Sequence, residues 1–111
     1  MKRLFLAATI IAALVATGAL VGYSGGAPSS VHVSITKTGF EPANVVVKAG
    51  GTVTWTNNDT IPHTVTAADT LAYDSGAIYP GKTFTQHYDT VGNHSYYCRF
   101  ITTLRGTVTV K

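Results

Sequence analysis

The sequence predicts an all-β fold, a Greek-key β-sandwich of seven or eight short strands, preceded by an N-terminal hydrophobic signal or anchor helix. Three observations predict it. Beyond residue 28 polar and apolar residues alternate in short runs, turn residues separate these runs, and no amphipathic helical stretch of useful length interrupts them.

The first element is the leader. Lys2 and Arg3 precede LFLAATIIAALVATGALVGY (4 to 23), which carries no charge and runs into the small, polar SGGAPSS. That is the layout of a secretory signal. The uncharged run of about 20 residues also suffices to span a bilayer, and no clean Ala-x-Ala pattern precedes Ser29, so a cleaved signal and an uncleaved anchor both remain open. The leader contains no cysteine, which excludes lipid anchoring through one. The expected organisation is a signal peptide or membrane anchor over 1–28 and one domain over 29–111. An exported location follows: periplasmic, extracellular or anchored on the outer side of the cytoplasmic membrane, with membrane contact only through the N-terminal segment.

The strands follow in order. VHVSITK (31 to 37) sets Val31, Val33 and Ile35 on one face, and NVVVK (44 to 48) is a short apolar run. Gly50 and Gly51 turn the chain into TVTWTN (52 to 57), with Val53 and Trp55 on one side and threonines on the other. A loop with Asn57, Asn58, Asp59 and Pro62 leads to HTVTA (63 to 67). Pro80 and Gly81 turn into KTFTQHY (82 to 88), DTVG (89 to 92) turns again, and NHSYYCR (93 to 99) and GTVTVK (106 to 111) complete the set. Trp55 and Tyr96 read as core from their alternation with Val53 and Cys98.

Charge excludes one class of partner. The net charge of +3 includes Lys2 and Arg3. From residue 28 onward Lys37, Lys48, Lys82, Arg99, Arg105 and Lys111 face Glu41, Asp59, Asp69, Asp74 and Asp89, so the domain is nearly neutral and no nucleic-acid partner is expected. No nucleophile with a nearby base and no acid/base pair stands out, so an enzyme is not expected. The single cysteine, Cys98, cannot form an internal disulfide. In an exported chain it reads either as a metal ligand or as a small, inert, buried apolar residue.

Three segments together resemble the cupredoxin family, in particular its small amicyanin- and plastocyanin-like members. They are TVTWTNNDTIPHTV (52 to 65), DSGAIYPGKTF (74 to 84), and VGNHSYYC with LRGTVTV closing at residue 110. The resemblance covers residues 31 to 111 and implies a copper site. In that family a histidine after the Asn-Asp loop, a late-strand cysteine, a second histidine and an axial methionine hold one copper ion, in a trigonal plane with a long axial bond. His63 and Cys98 match the first two positions. Short-loop members read Cys-x-x-His-x-x-Met, whereas this chain reads CRFITTLRGTV, with Ile101 and Leu104 at the histidine and methionine positions. The loop length is kept and two ligands are missing. A His63 and Cys98 pair retains the softness that suits Cu(I), with water or the Pro62 carbonyl completing the shell.

No other histidine fills the gap. His94 shares parity with Cys98 but lies about 13 Å along the strand at roughly 3.3 Å per residue, and it reads as a hydrogen-bonded core or rim residue. His87 and His32 alternate with threonines and serine on polar faces. By the resemblance, Asn57 braces the loop that carries His63. Phe100, Ile101 and Leu104 crowd the pole around His63, either as an apolar docking patch for a redox partner protein or as a plug in an emptied metal pocket. Two functions follow: an exported copper-binding protein for electron transfer or copper holding, or a metal-free cupredoxin-like binding or structural module with the apolar pole as contact surface.

Overall fold

The computed structural model describes residues 26–111, so the leader expected over 1–28 lies, through residue 25, outside the described residues. Eight strands follow: β1 (Ser30–Thr36), β2 (Gly39–Glu41), β3 (Asn44–Val47), β4 (Gly51–Asn57), β5 (Thr66–Ala67), β6 (Thr83–Tyr88), β7 (Gly92–Tyr97) and β8 (Arg105–Val110). They form two four-stranded sheets, ordered β2-β1-β4-β6 and β3-β8-β7-β5. The expected all-β sandwich is what the chain builds.

Alternation decides which face turns inward. In β4 every second residue is buried, so Val53, Trp55 and Asn57 point into the sandwich and the threonines point out. The parallel register with β1 sets Val31 beside Val53 and Val33 beside Trp55, and the antiparallel register with β6 sets Phe84 beside Trp55. In the facing sheet, Val108 pairs with His94 and Tyr96 with Gly106. The two sheets meet at Trp55 and Tyr96, whose rings pack edge to face at 5.2 Å, with Phe40 against Tyr96 at 4.7 Å. Each such aliphatic or aromatic side chain taken out of water contributes about 1.5–3 kcal/mol.

Two departures from the alternation pattern have physical causes. β2 is only three residues long, too short to show a period, and pairs with β1 through Phe40 and Ile35. The run HTVTA reads as a five-residue strand, yet only Thr66 and Ala67 pair with β7. His63 bridges singly to Ile78, and Thr66 bridges to Asp74 in addition to pairing with Tyr97, because the segment after Ala67 folds back over this stretch.

At the opposite end from Cys98, His94 is buried and both its ring nitrogens face acceptors. Nδ1 lies 2.7 Å from Asp69 Oδ2 and Nε2 lies 2.6 Å from the Thr90 carbonyl. Both bonds together require the doubly protonated ring. Burial opposes that charge, but the Thr90 and Asp69 bonds outweigh it, and the pKa is raised above the ordinary 6.5.

Two expectations follow. A Cβ at Gly106 would strike the Tyr96 hydroxyl and stand 2.7 Å from the Ala43 carbonyl oxygen. Gly106→Ala is therefore expected to destabilise the fold by at least about 1–3 kcal/mol in urea unfolding. A raised histidine pKa stabilises the fold fully below pH 6.5, and the contribution is lost as pH rises through the folded value. Unfolding midpoints at pH 6 and about pH 8.5 should thus fall more in the parent than in His94→Gln, and equal slopes would refute the doubly bonded ring.

Candidate metal centre

The candidate centre lies where β4 and β7 end. Beyond Asn57 the loop carries His63, and beyond Tyr97 the chain carries Cys98; both residues are fully buried. His63 Nδ1 lies 3.6 Å from Cys98 Sγ. That is shorter than the sum of a thiolate bond and an imidazole bond to a first-row ion such as zinc, about 2.3 and 2.0 Å. Both atoms therefore reach a single ion.

The loop is held from both sides. Asn57 Nδ2 donates to the carbonyls of Ile61 and Ile78, each at 2.8 Å, and its Oδ1 accepts the Asp59 N–H at 2.9 Å. His63 and Ile78 exchange backbone hydrogen bonds of 3.1 and 2.7 Å. The reading of Asn57 as a brace agrees with these bonds. On the Cys98 side, the Arg99 N–H donates to Thr64 Oγ1 at 2.7 Å, so the Thr64 hydroxyl proton is free to serve Thr66 Oγ1 at 3.0 Å. Arg99 also reaches back to Asp74 through Nε at 2.7 Å.

Around the thiol the donors are backbone amides. The Thr64 N–H points to Sγ at 3.5 Å. Burial alone would raise the thiol pKa, but this amide, the His63 ring and the N–H groups of Ile101 and Phe100 outweigh it and lower the value. For His63, burial opposes charge, while the bonds to Asp59 and Cys98 prevail and raise its pKa. His63 Nε2 lies 2.8 Å from Asp59 Oδ2, and the Asp59 side chain is only 5% exposed. The His63 bond, followed by the Thr60 amide, lowers the Asp59 pKa.

The remaining candidates fall elsewhere. Among the described residues no three His, Cys, Asp or Glu side chains are grouped to hold a metal, and Asp59 sits on the ring nitrogen remote from Cys98. His94 belongs to the Asp69 cluster, His87 pairs with Asp89, and His32 bonds Thr56. Ile101 and Leu104 occupy a closed turn, with Leu104 N–H on the Ile101 carbonyl at 2.9 Å and Cys98 N–H on the Leu104 carbonyl at 3.0 Å. Leu104 packs on the core and Ile101 is exposed; neither side chain carries a donor atom. Sequence reasoning missed Asp59, Thr64 and the Asp74–Arg99 pair. For Asp59 the available signal was a carboxylate four residues before His63 within one loop.

Comparison with known proteins assigns this architecture. A family model described as a cupredoxin-like domain matches residues 4–110. The chain belongs to that family. Amicyanin-alpha of Methylorubrum extorquens is 30% identical to this cupredoxin over 110 residues, covering 96% of the chain and 92% of the relative. Plastocyanin of Scenedesmus fuscus is 33% identical over 84 residues, 65% of this chain and 86% of its own length. Chloroplastic plastocyanin of Tetradesmus obliquus is 41% identical over 69 residues, and the match spans only about half of that relative (48%) and 53% of this chain. Among solved structures, a purple cupredoxin from Nitrosopumilus maritimus superposes with a TM-score of 0.69 at 28% identity, covering 73% of this chain and 99% of that one. A reduced Cu(I) form of an amicyanin variant gives a TM-score of 0.70 at 25% identity, covering 79% and 88%.

Asn57→Ala leaves the Ile61 carbonyl and the Asp59 N–H without this partner, while the Ile78 carbonyl keeps the His63 N–H; each group left unsatisfied costs about 1–3 kcal/mol. Urea unfolding should show a loss of at least about 2 kcal/mol, and native Cys98 should become faster to label with a thiol reagent. Parent-like stability and labelling would show that the loop is braced by other groups.

Proposed function

We propose that this cupredoxin is exported and holds copper through His63 Nδ1 and Cys98 Sγ, serving electron transfer or copper holding outside the cytoplasm. The observation that carries the reading is the 3.6 Å approach of these two atoms in a fully buried setting. The family supports it, and so does the Cu(I) form in which an amicyanin relative is known. When bound, copper would supply one-electron exchange; the protein supplies a soft thiolate, an imidazole, and amides that favour the thiolate. The ligand set is incomplete relative to the family pattern, since Ile101 and Leu104 offer no lone pair, and two donors with a soft sulfur favour Cu(I) over a smoothly cycling centre. Export is supported by the Lys2-Arg3 start and the uncharged run that follows.

A redox partner protein would dock at the apolar pole, where Ile61, Tyr79, Phe100 and Ile101 are exposed. The same residues favour the second reading, a metal-free binding module in which this pole is the contact surface. An enzymatic role forms no part of either reading.

Anaerobic titration with Cu(I) against a chromophoric competitor separates the two. The parent is expected to bind one ion per chain and to gain thermal stability, about 2.7 kcal/mol at a hundredfold excess of free ion over Kd. Cys98→Ser and His63→Ala should each abolish both effects. Ile101→His combined with Leu104→Met should bind Cu(II) with an intense visible thiolate-to-copper band that the parent lacks. Absence of binding in the parent, or undiminished binding in Cys98→Ser, would refute the copper reading and leave the binding module.

A further inference from the structure

We propose that Asp59 is a positioning residue of this centre: its carboxylate takes the Nε2–H of His63 and thereby presents the bare Nδ1 to Cys98. The role toward copper rests on the function proposed above; the geometry of the ring does not.

A neutral imidazole carries one proton and one lone pair, and only the bare nitrogen donates to an ion. Which nitrogen is bare is decided by what the other one meets. At His63, Nε2 meets a carboxylate oxygen at 2.8 Å, an acceptor with no proton to give, so the hydrogen resides on Nε2 and the lone pair on Nδ1. Nδ1 in turn faces Sγ. His94 makes the contrast within the same molecule: acceptors face both of its nitrogens, and no lone pair is left for a metal.

Asp59 is itself fixed, which is what a positioning role requires. Its N–H donates to Asn57 Oδ1 at 2.9 Å, and its Oδ1 accepts the Thr60 N–H at 2.7 Å, leaving Oδ2 for the ring. The carboxylate is nearly shut off from water, so solvent competes little for the histidine proton. A partner of this kind fixes the tautomer and ring orientation of a ligating histidine and raises its basicity. The brace from Asn57 thus continues through Asp59 to the ring.

The test uses the full chain with ¹⁵N-labelled histidine and two variants. Asp59→Asn keeps an acceptor oxygen without the charge, and Asp59→Ala removes both. In metal-free protein, at a pH where the ring is neutral, multiple-bond ¹H–¹⁵N correlations should show a single Nε2–H tautomer for His63 in the parent and in Asp59→Asn, and a mixture in Asp59→Ala. In the Cu(I) competition, Asp59→Ala should lose about 10–100-fold in affinity, with substantial rescue in Asp59→Asn. Should Asp59→Ala fail to fold by circular dichroism, Asp59→Ser, whose hydroxyl is too short to reach Nε2, carries the same comparison. A single Nε2–H tautomer persisting in the Ala or Ser variant would overturn the proposal. So would loss of the tautomer with Cu(I) affinity unchanged. If no protein binds Cu(I) while the tautomer shifts as expected, the copper reading fails and the positioning of His63 by Asp59 stands.

Discussion

The centre depends on one buried amide. Asn57 ends a central strand, and every hydrogen-bonding group it owns is engaged: its N–H with the Lys82 carbonyl, its carbonyl with the Gly81 N–H, its Nδ2 with two carbonyls, and its Oδ1 with Asp59. An irregular loop cannot satisfy its inward carbonyls through a ladder, so an interior side chain must do so. Because that side chain extends from a rigid strand, the position of His63 is set by the sandwich and not by the loop's own preferences.

Rigidity on one side matters only if the other side matches it. Cys98 follows directly from β7, and the hydroxyls of Thr64 and Thr66 connect the amide after it to the segment bearing His63. The exposed Arg99–Asp74 pair adds little energy by itself, being 41% exposed at both ends. Its effect is to hold the Cys98 and Asp74 segments in register. The thiol and the imidazole thus meet as ends of two braced elements, with amides already pointed at the sulfur.

Much of the fold was legible because five strands obey a period of two over six or seven residues: β1, β4, β6, β7 and β8 lie within a residue or so of their alternating runs. β2 was hidden by its length, and β5 was overstated because alternation cannot tell a paired strand from an extended segment covered by a returning loop. At the site, His63 and Cys98 were legible only through a family pattern; no local period joins residues 35 apart. Asp59 offered only its spacing, four residues before His63 in one loop, since its role comes from a loop curvature that the Asn57 bonds hold. The turn from Ile101 to Leu104 shows the reverse case, in which loop length carried over and chemistry did not.

The two parallel pairings, β1 with β4 and β3 with β8, set where the chain enters and leaves the domain. The Lys48 N–H binds the Pro28 carbonyl and the Ala49 N–H binds that of Lys111, so both ends emerge beside the β3–β4 turn. That turn is a strand's length from Cys98, about 20 Å at roughly 3.3 Å per residue. Whatever the chain is tethered to at either end, the apolar cap points away from the attachment. A tag, a surface or a fused domain joined there leaves the face over His63 unobstructed, so immobilised protein presents that face in one common orientation.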